Sequence, residues 1–131
     1  MKHIIDVGGI SCGDGSLFLI SGPCVIEGES VMMKTAEYLA KISDKLNIPV
    51  IYKSSFMKDN RSDVSYYMGP GIENGLQLLQ KVKEQFGFPV LSDVHYPEQV
   101  EMAADVLDII QIPAYLCMQT TLVVAAAQTG K

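Results

Sequence analysis

Four short apolar runs recur along the chain, "LFLIS", "IPVIYKSS", "FPVLSDV" and "LDIIQIP", and each precedes a segment with helical spacing. That alternation constrains the fold more than any other feature. Strands lacking polar alternation are buried on both faces, and such strands are parallel ones covered by helices. In the first helical segment Ser30 is placed to cap, and Met32, Ala36, Leu39, Ile42 and Leu46 fall on one face. The second opens after "GPG" with Ile72, Leu76, Leu79, Val82 and Phe86 as its apolar stripe, and Gly87 followed by Pro89 ends it. The third starts at Pro97 and carries Val100, Ala103, Ala104 and Leu107. The fourth, "TTLVVAAAQTG", is apolar almost all round and stops at Gly130.

The predicted order is therefore βαβαβαβα. The preceding "HIIDVGGISCGDGS", with Gly-rich turns and alternating Ile and Val, reads as a β-hairpin. Residues 1–16 form the hairpin cap and residues 17–131 four βα units, all in one α/β domain. Right-handed crossovers allow either an open doubly wound sheet or a barrel. A complete eight-fold barrel takes roughly 250 residues, about twice what is present.

Composition narrows the function classes. Hydrophobic residues make up 48% and charged residues 19%, which suits a folded core and not a disordered chain. A net charge of −5 draws the surface neither to nucleic acid nor to an anionic membrane. No stretch approaches the ~18 apolar residues of a membrane span, and the N-terminus lacks the apolar core of a secretory signal. Cys12, Cys24 and Cys117 show no CxxC spacing, so a reducing cytoplasm is the expected compartment.

Parallel α/β folds gather their chemistry where the βα loops converge, at the carboxyl ends of the strands. Cys24 and Glu27 follow the first predicted strand. Lys53, Ser54 and Ser55 end the second, and Lys58, Asn60, Arg61 and Ser62 follow. Asp93 and His95 end the third, and two residues apart on a strand they share a side; Gln111 ends the fourth. Three cations with hydroxyls and an amide suit a phosphorylated or carboxylated small molecule, with lysine a point charge and arginine a bidentate fork. A solvated basic loop is the plainer alternative. Cys24 after "GP" is open as a metal ligand or a nucleophile, and "GPG" at 69–71 is read as a turn and not a phosphate loop.

The blocks "LFLISGPCVIE", "KSSFMKDNRS", "GPGIENGLQLL", "FPVLSDVH" and "DIIQIPAYLCMQT" together resemble the 3-deoxy-D-manno-octulosonate 8-phosphate synthases, also called 2-dehydro-3-deoxyphosphooctonate aldolases. The resemblance runs in register along almost the whole chain. It implies the first half of a TIM (β/α)8 barrel, and condensation of phosphoenolpyruvate with arabinose 5-phosphate, releasing phosphate, for lipopolysaccharide synthesis. Lys53, Ser55, Lys58, Asp93 and Gln111 would surround phosphoenolpyruvate, Asn60, Arg61 and Ser62 would hold the sugar phosphate, and His95 would line the site. Cysteine after "GP" marks the metal-dependent type, so Cys24 would ligate zinc, iron or manganese. The family's other ligands, and its homo-oligomer (a tetramer), would need the part of the barrel after Lys131, and the chain alone is expected not to turn over. The family commonly shows "CRQTD" where Met118 and Thr121 stand here, and an arginine and a serine at Met68 and Gly28. Two alternatives follow: a seven-carbon synthase using erythrose 4-phosphate, or a non-catalytic interaction module.

Overall fold

A computed structural model describes the protein over residues 3–131. The chain opens with an antiparallel hairpin of β1 (Ile5–Val7) and β2 (Ile10–Cys12), closed by Gly8 and Gly9. Their φ values of 56° and 87° are a backbone that L-residues with side chains rarely adopt, and the tight two-residue connection depends on it.

The expected alternation follows: β3 (Leu19–Ser21), α1 (Glu29–Leu46), β4 (Val50–Lys53), α2 (Ile72–Phe86), β5 (Val90–Asp93), α3 (Pro97–Val106), β6 (Ile109–Gln111) and α4 (Thr120–Gln128). A 3-10 turn, Ala114–Leu116, joins β6 to α4. The four later strands form one parallel sheet in the order β3-β4-β5-β6. A doubly wound sheet reverses strand order and carries helices on both faces. Here the order is sequential, and the helices pack on one face, where Val50, Tyr52, Val90 and Val94 meet Met32, Ala36, Leu76, Leu79, Val82 and Val100. On the other face Ile51 and Leu91 pack against Ile10 of the hairpin.

Burial on both faces holds for β4 and β5 but not for the outer strands. Leu19 and Ile20 of β3 are 37% and 44% exposed, and β6 is half-buried throughout, because each has one strand neighbour. In α1, Met32, Ala36 and Leu39 are buried, whereas Ile42 and Leu46, expected on the same face, are exposed. Ser30 does not cap that helix: it begins at Glu29 after Gly28, and the Glu29 carboxylate in the first turn complements the helix dipole. In α4 only Leu122 is buried; Val123 and Val124 lie exposed. By contrast α2 matches its stripe and stops at Gly87, whose φ of 71° forms a left-handed cap. Among the described residues, no helix is long and apolar enough to cross a membrane.

Candidate functional site

The strand register stacks side chains in layers on the hairpin face. Lys53 pairs with Leu91 and Leu91 with Ile109; two residues on, the same alternation brings Ser55, Asp93 and Gln111 side by side. That upper layer opens into a cleft of about 410 Å³ at the carboxyl ends of the strands, lined by Lys58, Asn60, Asp93, His95, Gln111 and Tyr115 among others. A larger hollow of about 650 Å³ lies toward the amino ends beneath the hairpin, but Ile5, Phe18, Ile20, Ile51 and Ile109 give it mainly aliphatic walls. The upper cleft gathers a lysine, two amides, a buried carboxylate and a buried imidazole at the carboxyl ends of the strands, which makes it the candidate site.

Asp93 is its hub, with only 3% of its surface exposed. The Ser55 hydroxyl donates to its Oδ1. Lys58 Nζ and His95 Nε2 approach its Oδ2 at 3.9 Å and 3.4 Å. Burying a carboxylate without such partners is costly. Burial pushes the His95 imidazole below its usual value, and this outweighs the upward pull of Asp93 and Asp59. The neutral ring facing Asp93 favours a proton on Nε2, which leaves Nδ1 buried without a partner. Tyr115, at the rim, has its phenol pushed upward by partial burial and then by Asp59 and Asp93, so it stays protonated at neutral pH.

The loop between β4 and α2 is drawn together at its neck. Gly71 N–H donates to Phe56 O and Lys58 N–H to Met68 O, at 3.1 and 2.7 Å. The 69–71 "GPG" is accordingly the turn into α2. Gly69 belongs there because a Cβ would stand 2.4 Å from the Phe56 carbonyl oxygen.

The structure brings together Ser55, Lys58, Asn60, Asp93, His95 and Gln111, and it separates others. Lys53 sits one layer below the cleft, half-buried on the face of Ile51. Arg61, expected at the same rim, turns back into its own loop: one guanidinium nitrogen donates to the carbonyls of Val64 and Tyr66 at 3.0 and 2.9 Å. The three cations do not form one lip. Ser62 is exposed and does not line the cleft. Ser54 is structural, its hydroxyl donating to Pro23 O at 2.7 Å.

Cys24 is exposed beside β4, where its carbonyl accepts the Ser55 N–H. No group of three or more His, Cys, Asp or Glu side chains among the described residues is placed to hold a metal ion. One thiolate falls three donors short of a tetrahedral centre. The cleft residue that sequence reasoning passed over is Tyr115. The short turn after β6 points it back to the rim, and no periodic signal announces such a turn.

A sequence model of the DAHP synthetase I family matches residues 2–131. Curated relatives named 2-dehydro-3-deoxyphosphooctonate aldolase match along the chain. One from Geotalea uraniireducens (strain Rf4) is 56% identical over 132 residues, covering 100% of this chain and 48% of the relative. One from Geobacter sp. (strain M21) is 54% identical with the same coverage. One from Synechococcus sp. (strain ATCC 27144 / PCC 6301 / SAUG 1402/1) is 50% identical over 122 residues, 92% of this chain and 43% of the relative. The chain thus spans about half the length of the curated relatives it matches.

Proposed function

The chain belongs to the DAHP synthetase I family, and from that premise we propose that it contributes the phosphoenolpyruvate side of an octulosonate phosphate synthase. The reaction is condensation of phosphoenolpyruvate with arabinose 5-phosphate to 3-deoxy-D-manno-octulosonate 8-phosphate and phosphate. One observation carries the reading: Lys58, Asn60, Asp93 and Gln111 line a single cleft at the carboxyl ends of parallel strands. Its four βα units supply one side of a (β/α)8 barrel; sequential strands with helices on one face support this.

Phosphoenolpyruvate is a small polyanion. Lys58 supplies the cation at the cleft mouth, and Lys53, with no ion pair among the described residues, supplies a second charge from the layer below. Gln111 and Asn60 offer hydrogen bonds. Asp93 already engages Ser55, Lys58 and His95, so its role is to aim those donors and not to meet the substrate's charge. Asn60, Arg61 and Ser62 hold the sugar phosphate; Arg61 reaches it by exchanging its bonds to Val64 and Tyr66. Were a divalent metal bound, Cys24 would be its one thiolate ligand from these residues. The assembly is a cytoplasmic homo-oligomer.

Isothermal titration of phosphoenolpyruvate tests the site. Binding by this chain, weakened about ten-fold or more by Lys58→Ala through loss of one charged contact, is the expected result; no binding at millimolar ligand leaves the interaction module standing. In an enzyme carrying the full length of the relatives, competition between arabinose 5-phosphate and erythrose 4-phosphate decides the acceptor.

A further inference from the structure

Lys58 lies on a loop without regular structure, yet the residues on either side of it are tied to the start of α3. On its C-terminal side, the Tyr96 hydroxyl donates to Asp59 Oδ2 at 2.8 Å, across 37 residues of sequence. On its N-terminal side, the Gln99 amide lies 3.8 Å from the sulfur of the buried Met57, a weak contact. The anchors are themselves fixed. Gln99 Oε1 accepts the backbone N–H groups of His95 and Tyr96 at 2.8 and 3.3 Å, and Gln99 N–H donates to Tyr96 O at 3.0 Å. The same side chain thus orders the turn that presents His95 to the cleft.

We propose that Tyr96 and Gln99 are positioning residues: they clamp the loop on both sides of Lys58 and so hold its ammonium over Asp93. A lysine side chain has four rotatable bonds, and a mobile backbone beneath it would spread the charge over many places. Fixing the backbone on both sides confines the ammonium to the cleft, the support that a binding group needs from its surroundings. The carboxylate of Asp59 also raises the Tyr96 phenol, keeping the hydroxyl protonated as the donor. The benefit to phosphoenolpyruvate binding rests on the function proposed above; the clamp does not.

The test uses the chain with 15N-labelled lysine, in the variants Tyr96→Phe, Asp59→Ala and Asp59→Asn. Tyr96 is 47% exposed, so its hydroxyl is removable without opening the core. Tyr96→Phe and Asp59→Ala are expected to speed exchange of the Lys58 amide about five-fold, the factor carried by one hydrogen bond. They also shift the Lys58 Nζ resonance, while the amides of Lys53 in β4 and Lys83 in α2 keep their rates. Asp59→Asn still accepts the bond and stays near wild type. Titration of phosphoenolpyruvate followed by 31P NMR then weakens about five-fold in Tyr96→Phe. Wild-type Lys58 exchange and Nζ resonance in Tyr96→Phe would overturn the clamp. If both respond but phosphoenolpyruvate binds neither protein, the clamp stands and the assigned ligand is wrong.

Discussion

Ser55 and Asp93, 38 residues apart in sequence, meet on adjacent strands, where the serine hydroxyl donates to the aspartate Oδ1. Both are buried, at 0% and 3% exposure. Register alone sets the encounter: Lys53 pairs with Leu91, so two residues later Ser55 faces Asp93. Neither residue explains the other's presence in its own segment.

Removing that hydroxyl leaves a buried carboxylate one donor short. Ser55→Ala is expected to lower unfolding free energy by about 1.5–3 kcal/mol, the range for a hydrogen bond to a charged group. Ser55→Thr, which keeps the donor, should cost less. Urea denaturation of both variants checks it; equal losses would mean packing and not the bond is responsible.

Gly75 gives a prediction whose sign opposes helix propensity. It lies inside α2, where alanine ordinarily gains about 1 kcal/mol over glycine. A Cβ there would stand 2.2 Å from Phe56 Cβ and 3.1 Å from Phe56 Cα, neither of them the far end of a flexible side chain. Phe56 is fully buried and its carbonyl holds the loop neck. Overpacking of this kind costs about 1–3 kcal/mol, so Gly75→Ala should destabilise despite the better helix former. A higher melting temperature for the variant would show that Phe56 yields freely.

His95 links stability to pH. Its folded pKa lies below the unfolded value of 6.5 because burial disfavours the imidazolium. The unfolded chain therefore takes up the proton first as pH falls. The contribution of His95 is fully present above about pH 7 and declines as pH drops through roughly 6.5, levelling off below the lower folded value. Urea midpoints at several pH values between 7.5 and 5.5, for wild type and His95→Gln, isolate it. The wild-type midpoint should fall more steeply, and parallel profiles would refute the assignment.

How far the sequence led depended on how local each cause was. The stripe of α2 and the runs ending at Lys53 and Asp93 announced themselves because periodicity and burial act within a few residues. That Asp93, His95 and Gln111 share one cleft was legible because two-residue alternation and the convergence of βα loops are general rules. The exposure of Ile42 and Leu46 was not legible, because helix spacing says which residues share a face and not how far along the helix a neighbour covers it. Arg61 was misplaced because loop carbonyls, Val64 and Tyr66, compete for its guanidinium. The Tyr96–Asp59 bond joins two loops, and no pattern within either segment predicts it.

At the other end of the sheet, Asp108 binds two elements at once. Its Oδ2 accepts the Val90 N–H at 2.9 Å, and its Oδ1 accepts Lys83 Nζ at 2.8 Å; Lys83 also donates to Val106 O at 3.1 Å. The carboxylate thus fastens the start of β5 and the end of α2 to the approach of β6. Asp108→Ala strips Val90 of its acceptor and Lys83 of its ion pair, with an expected loss of about 1–3 kcal/mol. Lys83→Met removes only a partly exposed cation, worth about 1 kcal/mol or less after solvent screening. In a double-mutant cycle the coupling should stay below about 1 kcal/mol, because the larger share belongs to the Val90 bond, which Lys83→Met leaves intact. The salt dependence separates the two further: Lys83→Met should converge on wild type at high ionic strength, whereas Asp108→Ala should not. Convergence of both would place the whole effect in the ion pair.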